Sequence, residues 1–218
     1  MPFFTRPLGG ALLCLLGALG SAAQAAGPLS TGVDAGGAVL APGAVDVHYT
    51  VSGGGLTDAP VYATQNATGY PGYWLAPDSL SSWITPGLNG SDAANQLQFV
   101  YTYTTRFDLT GYDAATARID GRLAVDDSVR AILLNGQDIG FTANSYGSFK
   151  SFAITSGFVA GLNTLSFVVG NDYGGPTGLR AELVSTLAPV PEPAAALLMA
   201  GGCGVLLLRR RLATRAAA

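Results

Sequence analysis

The 218-residue chain offers few side chains capable of chemistry: one histidine, His48, two cysteines, Cys14 and Cys203, and two glutamates, Glu182 and Glu192. A Ser-His-Asp triad would have to use His48, yet there is no Gly-x-Ser-x-Gly elbow, and no second histidine is present to complete a hydrolytic metal site. His48 lies in Asp46-Val47-His48-Tyr49-Thr50, on the strand face opposite Val47, Tyr49 and Val51. It reads as a solvated strand residue. Hydrolysis of glycosides needs two carboxyl groups, but between residues 27 and 190 Glu182 is the only glutamate, on a regular strand beside Arg180. The aspartates would have to act alone.

Two groups of residues remain as candidates for binding. Asp126 and Asp127 are adjacent; at a turn one of them caps backbone N–H groups, and with Asn171, Asp172 and loop carbonyls they form a possible set of hard oxygen ligands for a structural calcium ion. Their spacing matches no fixed calcium loop. The second group is aromatic: Tyr70, Tyr73, Trp74, Trp83 and Tyr146. Flat rings stack on the apolar faces of pyranoses, and Thr68-Gly69-Tyr70-Pro71-Gly72-Tyr73-Trp74 is a Gly/Pro-rich loop dense in such rings. Large aromatics are mostly buried, so Trp74 and Trp83 are expected as lid or core, and Tyr70, Tyr73 and Tyr146 on the surface.

The elements that must position these residues have a period of two. Phe99, Tyr101, Tyr103, Thr105, Phe107 and Leu109 alternate with Thr102, Thr104, Arg106 and Asp108, which is one buried strand face. Ala117, Ile119, Leu123 and Val125 repeat the pattern, and residues 131–134, apolar on both faces, are expected in a central strand. Asn135-Gly136 then reverses the chain, because this dipeptide favours positive φ. Further strands are expected at 45–51, 61–63, 148–155, 164–169 and 179–184, and no stretch has a sustained helical period. Short strands with frequent turn signals predict an all-β, antiparallel two-sheet sandwich over residues 27–187.

Within it, Tyr103-Thr104-Thr105-Arg106-Phe107-Asp108-Leu109, then Ala124-Val125-Asp126-Asp127 leading into Leu134-Asn135-Gly136, then Gly161-Leu162-Asn163-Thr164-Leu165 resemble the galactose-binding-like jelly roll. That resemblance spans about residues 96–187. It implies the fold of many carbohydrate-binding modules and of accessory domains of glycosidases, and reports scaffold more than ligand.

Both ends read as processing segments. Residues 1–26 have the order of a secretory signal: Arg6, an apolar run over 8–19, then Ala23-Gln24-Ala25, with cleavage expected after Ala25 or Ala26. At the other end Ala188-Pro189-Val190-Pro191-Glu192-Pro193 precedes an uncharged run over 194–208, followed by Arg209, Arg210 and Arg211. As a helix the run would be about 22 Å long against about 30 Å of hydrocarbon, a marginal transmembrane anchor with the arginines at the inner face. Val190, Pro191, Glu192 and Pro193, the apolar run and the three arginines resemble the PEP-CTERM sorting tail, here over 188–215. That resemblance implies an exosortase as processing partner, transient residence in the inner membrane of a Gram-negative bacterium that makes exopolysaccharide, and delivery to the cell surface or extracellular matrix.

Composition fits an exported body. Both cysteines fall in the apolar terminal segments, so residues 27–190 have no disulfide and depend on their core. That span holds 13 acids and six bases, a net charge of about −7, which suits cations or neutral ligands and argues against a nucleic-acid partner. The leading expectation is a non-catalytic surface or matrix protein that contacts extracellular polysaccharide. The alternative is a purely structural or protein–protein module of the biofilm envelope, and a glycan-active enzyme ranks third on its poor acid/base inventory.

Overall fold

The computed structural model describes residues 27–65, 72–88 and 99–190. Tyr70, residues 1–26, expected as a secretory signal, and Pro191, Glu192, Pro193, Arg209, Arg210 and Arg211, expected to form the sorting tail, lie outside the described residues. Among those described there are ten strands and no helix: β1 (Val45–Gly53), β2 (Leu56–Thr64), β3 (Trp83–Thr85), β4 (Phe99–Asp108), β5 (Arg118–Asp126), β6 (Ser128–Leu134), β7 (Gln137–Asp138), β8 (Lys150–Ile154), β9 (Leu162–Asn171) and β10 (Gly178–Thr186). All pairings are antiparallel, in the order β7-β6-β9-β4-β1-β2-β3-β10-β5-β8.

This continuous ladder doubles over near β2 and β3, so that its two halves face each other as a sandwich. One apolar cluster takes residues from both: Tyr101, Tyr103, Leu165, Phe167 and Val169 from one side, Ile119, Leu123, Val125, Leu179 and Phe152 from the other. Phe152 of β8 meets Phe167 of β9 edge-on across the layers at 6.2 Å. Each of these side chains contributes ~1.5–3 kcal/mol through burial, and this core replaces the absent disulfides. Gly121 lies directly opposite Phe152 in the ladder, and the ring occupies the space in which a Cβ would stand.

The alternating pattern is realised where it was clearest, in β4 and β5. Three features differ. β1 and β2 form a hairpin through Gly53-Gly54-Gly55, all at positive φ, and β2 extends well beyond residues 61–63. β6 is not central: it pairs with β9 and with the two-residue β7 across a tight turn at Asn135 (φ 51°) and Gly136 (φ 80°), and Ala131 and Leu133 are only half-buried. The strand buried on both faces is β10, over residues 178–183, and its outward side chains include Arg180 and Glu182. Charged residues read as solvent-facing, so this burial had no sequence signal.

Candidate functional site

β5 ends in Asp126, and three loops converge there. The first, between β2 and β3, carries Tyr73 and Trp74. The Trp74 indole N–H donates to Asp126 Oδ2 at 2.7 Å, and its ring stacks on Trp83 with centroids 4.2 Å apart. Gly178 admits this arrangement, since a Cβ there would come within 2.8 Å of the indole. Trp83 in turn donates its indole N–H to the Leu75 carbonyl at 2.8 Å.

The second loop, between β7 and β8, carries Tyr146. It is tied to the first by the Leu75 N–H, which donates to the Tyr146 carbonyl at 2.7 Å, and to β5 by the Val125 N–H, which donates to the Ser145 carbonyl at 2.8 Å. The third, between β9 and β10, is held by Asp127: its Oδ2 accepts the N–H groups of Asp172 (2.7 Å) and Tyr173 (3.1 Å). The Thr177 hydroxyl donates to the Asp126 carbonyl at 2.7 Å. Asp127 thus caps a turn, one of the two roles its position allowed.

A cavity of about 270 Å³ opens between these loops, lined by Tyr73, Trp74, Asp126, Tyr146, Gly174, Gly175 and Pro176. That is near the small end of ligand pockets, ~300 Å³. Trp74 is 4% exposed and forms a wall, whereas Tyr73 (63%) and Tyr146 (44%) stand at the mouth. Burial pushes the Asp126 carboxyl up to about 7; a hydrogen bond with the Asp127 carboxyl and its nearby charge act in the same direction, and the Trp74 N–H opposes them.

Behind this wall lies a polar clamp. Arg180, fully buried on β10, donates from Nε to Ser81 Oγ at 2.7 Å and from Nη1 to the carbonyls of Leu75 and Ala76, and its Nη2 pairs with Asp78 at 3.0 Å. Glu182 accepts from Ser81 Oγ at 3.0 Å and pairs with Arg122 at 2.6 Å. The Phe149 ring lies against both guanidinium groups, with centroid distances of 4.4 Å to Arg122 and 4.8 Å to Arg180.

No family model matches this chain, and no curated protein matches it. Solved structures similar to it include TmCBM61 in complex with β-1,4-galactotriose (11% identity, 65% of this chain and 90% of that one, TM-score 0.42). Others are CBM35 from Paenibacillus barcinonensis (14%, 65% and 94%, TM-score 0.36) and a family 35 carbohydrate-binding module from an environmental isolate (13%, 67% and 95%, TM-score 0.34). The assignment of this chain as a sandwich rests on its own strand pairing.

Of the aromatic candidates, the fold brings Tyr73, Trp74 and Tyr146 together. Trp83 is fully buried and offers no face to a ligand; it backs Trp74. The oxygen ligands considered for calcium do not form a cage. Asp126 Oδ2 and Asp127 Oδ2 are engaged by N–H groups, and the Asp172 carboxylate takes the Ser128 hydroxyl and the Arg130 guanidinium. Asn171 donates to the Gly175 carbonyl at 3.3 Å, and only its buried Oδ1 lacks a partner. Among the described residues no group of three or more His, Cys, Asp or Glu side chains is placed to hold a metal ion. Sequence reading missed Gly174, Gly175 and Pro176 as cavity walls, Tyr173, 83% exposed on the same loop, and the Arg180 clamp. The Gly-Gly-Pro run signalled a turn, and nothing in it signalled a wall. Two larger cavities, about 640 and 460 Å³, run along residues 27–29; Glu182 borders the first and His48 the second, and neither contains the aromatic or oxygen-ligand candidates.

Proposed function

We propose that the sandwich is a non-catalytic glycan-binding module of an exported protein, and that it holds a terminal sugar in the cavity between Tyr73 and Tyr146. The observation that carries this reading is the presence of two exposed tyrosines on separate, cross-tied loops at the mouth of one cavity, with a buried indole and a carboxyl group in its walls. A loop lid over the core would turn its rings inward, as Trp74 and Trp83 do. Rings held in place lose little conformational freedom on binding, so the stacking energy is kept. Export and tail processing belong to the same proposal: a leader removed after Ala25 or Ala26, and an exosortase acting near Val190-Pro191-Glu192-Pro193 to deliver the body to the cell surface or matrix, where exopolysaccharide is at hand.

The test is a glycan array probed with the full chain and with Tyr73→Ala and Tyr146→Ala. Binding of at least one oligosaccharide, weakened about tenfold by each substitution (about 1.4 kcal/mol), supports the module. A chain that binds no glycan is instead a structural or protein–protein module. Intact-mass spectrometry of the protein recovered from its host reads the processing, and a full-length mass would refute it.

A further inference from the structure

Among the described residues, Arg118, Arg122, Arg130 and Arg180 each pair with a carboxylate, whereas the guanidinium of Arg106 has neither an ion pair nor a hydrogen bond. The residue beside it is also unsatisfied. In the β1–β4 ladder Tyr49 faces Thr105, so the next step sets His48 next to Arg106; Tyr49 and Thr105 are buried in the core, which turns His48 and Arg106 to the outer face. His48 Nε2 is buried and has no partner. Both residues line the cavity of about 460 Å³ beside residues 27–29, with Asp108, Thr110 and Tyr112. A buried nitrogen that neither protein nor solvent satisfies calls for a partner from elsewhere, and the planar fork of a free guanidinium matches a carboxylate.

Two acids stand close in the chain, Asp46 to His48 and Asp108 to Arg106. Buried Asp46 is occupied on both oxygens, accepting the His48 N–H at 2.9 Å and the Gly32 N–H at 2.7 Å. Asp108 accepts the Thr110 N–H (2.8 Å) and hydroxyl (2.7 Å) on Oδ1, and Oδ2 stays open. Residues two apart on one strand face are separated by about 7 Å, so the cavity offers donors at Arg106 and His48 and an acceptor a short distance further on. The net charge of about −7 over residues 27–190 opposes anions at long range, but charges more than ~8 Å away are largely screened at physiological ionic strength. The groups in contact then decide.

We infer that this cavity is a second binding site, for a sugar acid: the carboxylate of a uronate unit meets the Arg106 fork and the His48 N–H, and a ring hydroxyl donates to Asp108 Oδ2. The site lies at the far end of the sandwich from the tyrosines. β4 runs from Phe99, paired with Asn171 next to the tyrosine cavity, to Asp108, paired with Leu162 in this one, a length of about 30 Å. The two cavities share no residue, so this site goes beyond the glycan site proposed above and stands without it.

His48 is the only histidine of the chain, so its ring signals in proton–nitrogen correlation NMR spectra report on this cavity alone. The experiment titrates the full chain, at constant pH and ionic strength, with glucuronate, glucose, acetate and inorganic phosphate. Glucuronate is expected to shift the His48 signals saturably, with an affinity at least tenfold above that of each other probe. Arg106→Gln should weaken glucuronate at least tenfold, and Tyr73→Ala should leave it unchanged. Glucose binding as tightly as glucuronate, phosphate or acetate doing so, or no shift at all would each overturn the site. The comparison of probes on the parent chain reads the selectivity even if the arginine variant folds poorly. A glycan array on which the tyrosine variants show no effect would remove the other site and leave this result standing.

Discussion

Asp126 should make the protein less stable as pH rises from acid to neutral, the reverse of the usual trend for carboxylates. Its native pKa of about 7 lies above the ordinary 3.8, so between those values the native state holds a proton that the unfolded chain has lost. Stability then falls with rising pH throughout that window and is level above it, where both states are ionised. A displacement from 3.8 to about 7 sets a ceiling of about 4 kcal/mol. Asp126 forms a cavity wall and retains some contact with water, so screening brings the expected effect to about 2 kcal/mol. Asp126→Asn keeps the acceptor for the Trp74 N–H and mimics the protonated carboxyl. Urea unfolding at pH 4.5 should give nearly equal stabilities for variant and parent, and at pH 8 the variant should be more stable by about 2 kcal/mol, about 4–8 °C in Tm. Asp46, also raised by burial, is common to both proteins and cancels in the difference. Asp78, Asp108, Asp120 and Asp172 are held below the usual carboxylate range, so their contribution is lost only below about pH 4, outside the window. Difference curves that stay parallel from pH 4.5 to 8 would refute the account.

Three further outcomes follow from the same contacts. Arg180→Met leaves Glu182, Ser81 and two carbonyls without their buried donor and should cost about 3–5 kcal/mol, read by urea unfolding, with glycan affinity falling further than stability alone explains. Trp74→Phe removes the only hydrogen bond that lowers the Asp126 pKa, so carbon-detected NMR should find that carboxyl titrating still higher. Because the Asp126, Asp127 and Asp172 oxygens are turned to protein donors, EDTA or millimolar calcium should leave Tm unchanged; a calcium-dependent rise would restore the ion site.

How much of this was legible in the sequence depends on what each residue contributes locally. The strands β4 and β5 could be read because inward and outward positions differ sharply in polarity, Tyr101, Tyr103 and Phe107 against Thr102, Thr104 and Arg106. The turn at Asn135-Gly136 could be read because few dipeptides adopt two positive φ values. The aromatic loop could be marked as a site, and Tyr73, Trp74 and Tyr146 do share a cavity, but the sequence held no sign that residues 73 and 146 would meet. Their meeting depends on β3, three residues long, and on the Leu75–Tyr146 backbone bond, neither of which has a pattern. Arg180 and Glu182 could be placed side by side on one strand but not in the interior, because their burial is created by a loop a hundred residues earlier.

That loop clarifies what supports the site in a body without disulfides. The apolar core fixes the two layers but stops short of the loops, whose backbone groups still require partners. Those partners are polar side chains, two of them fully buried: Arg180 for residues 75–81, the half-buried Asp127 for 172–173, and Asn163, which accepts from Asn135 and the Val159 N–H and donates to two carbonyls of its own turn. Each ties a loop to a strand that the core already holds rigid. A cross-link of this kind is worth little unless every donor and acceptor in it is matched, because a half-satisfied buried network costs more than an apolar one. The geometry of Tyr73 and Tyr146 is therefore only as fixed as Arg180, and the cavity between them should loosen before the sandwich unfolds when that network is disturbed.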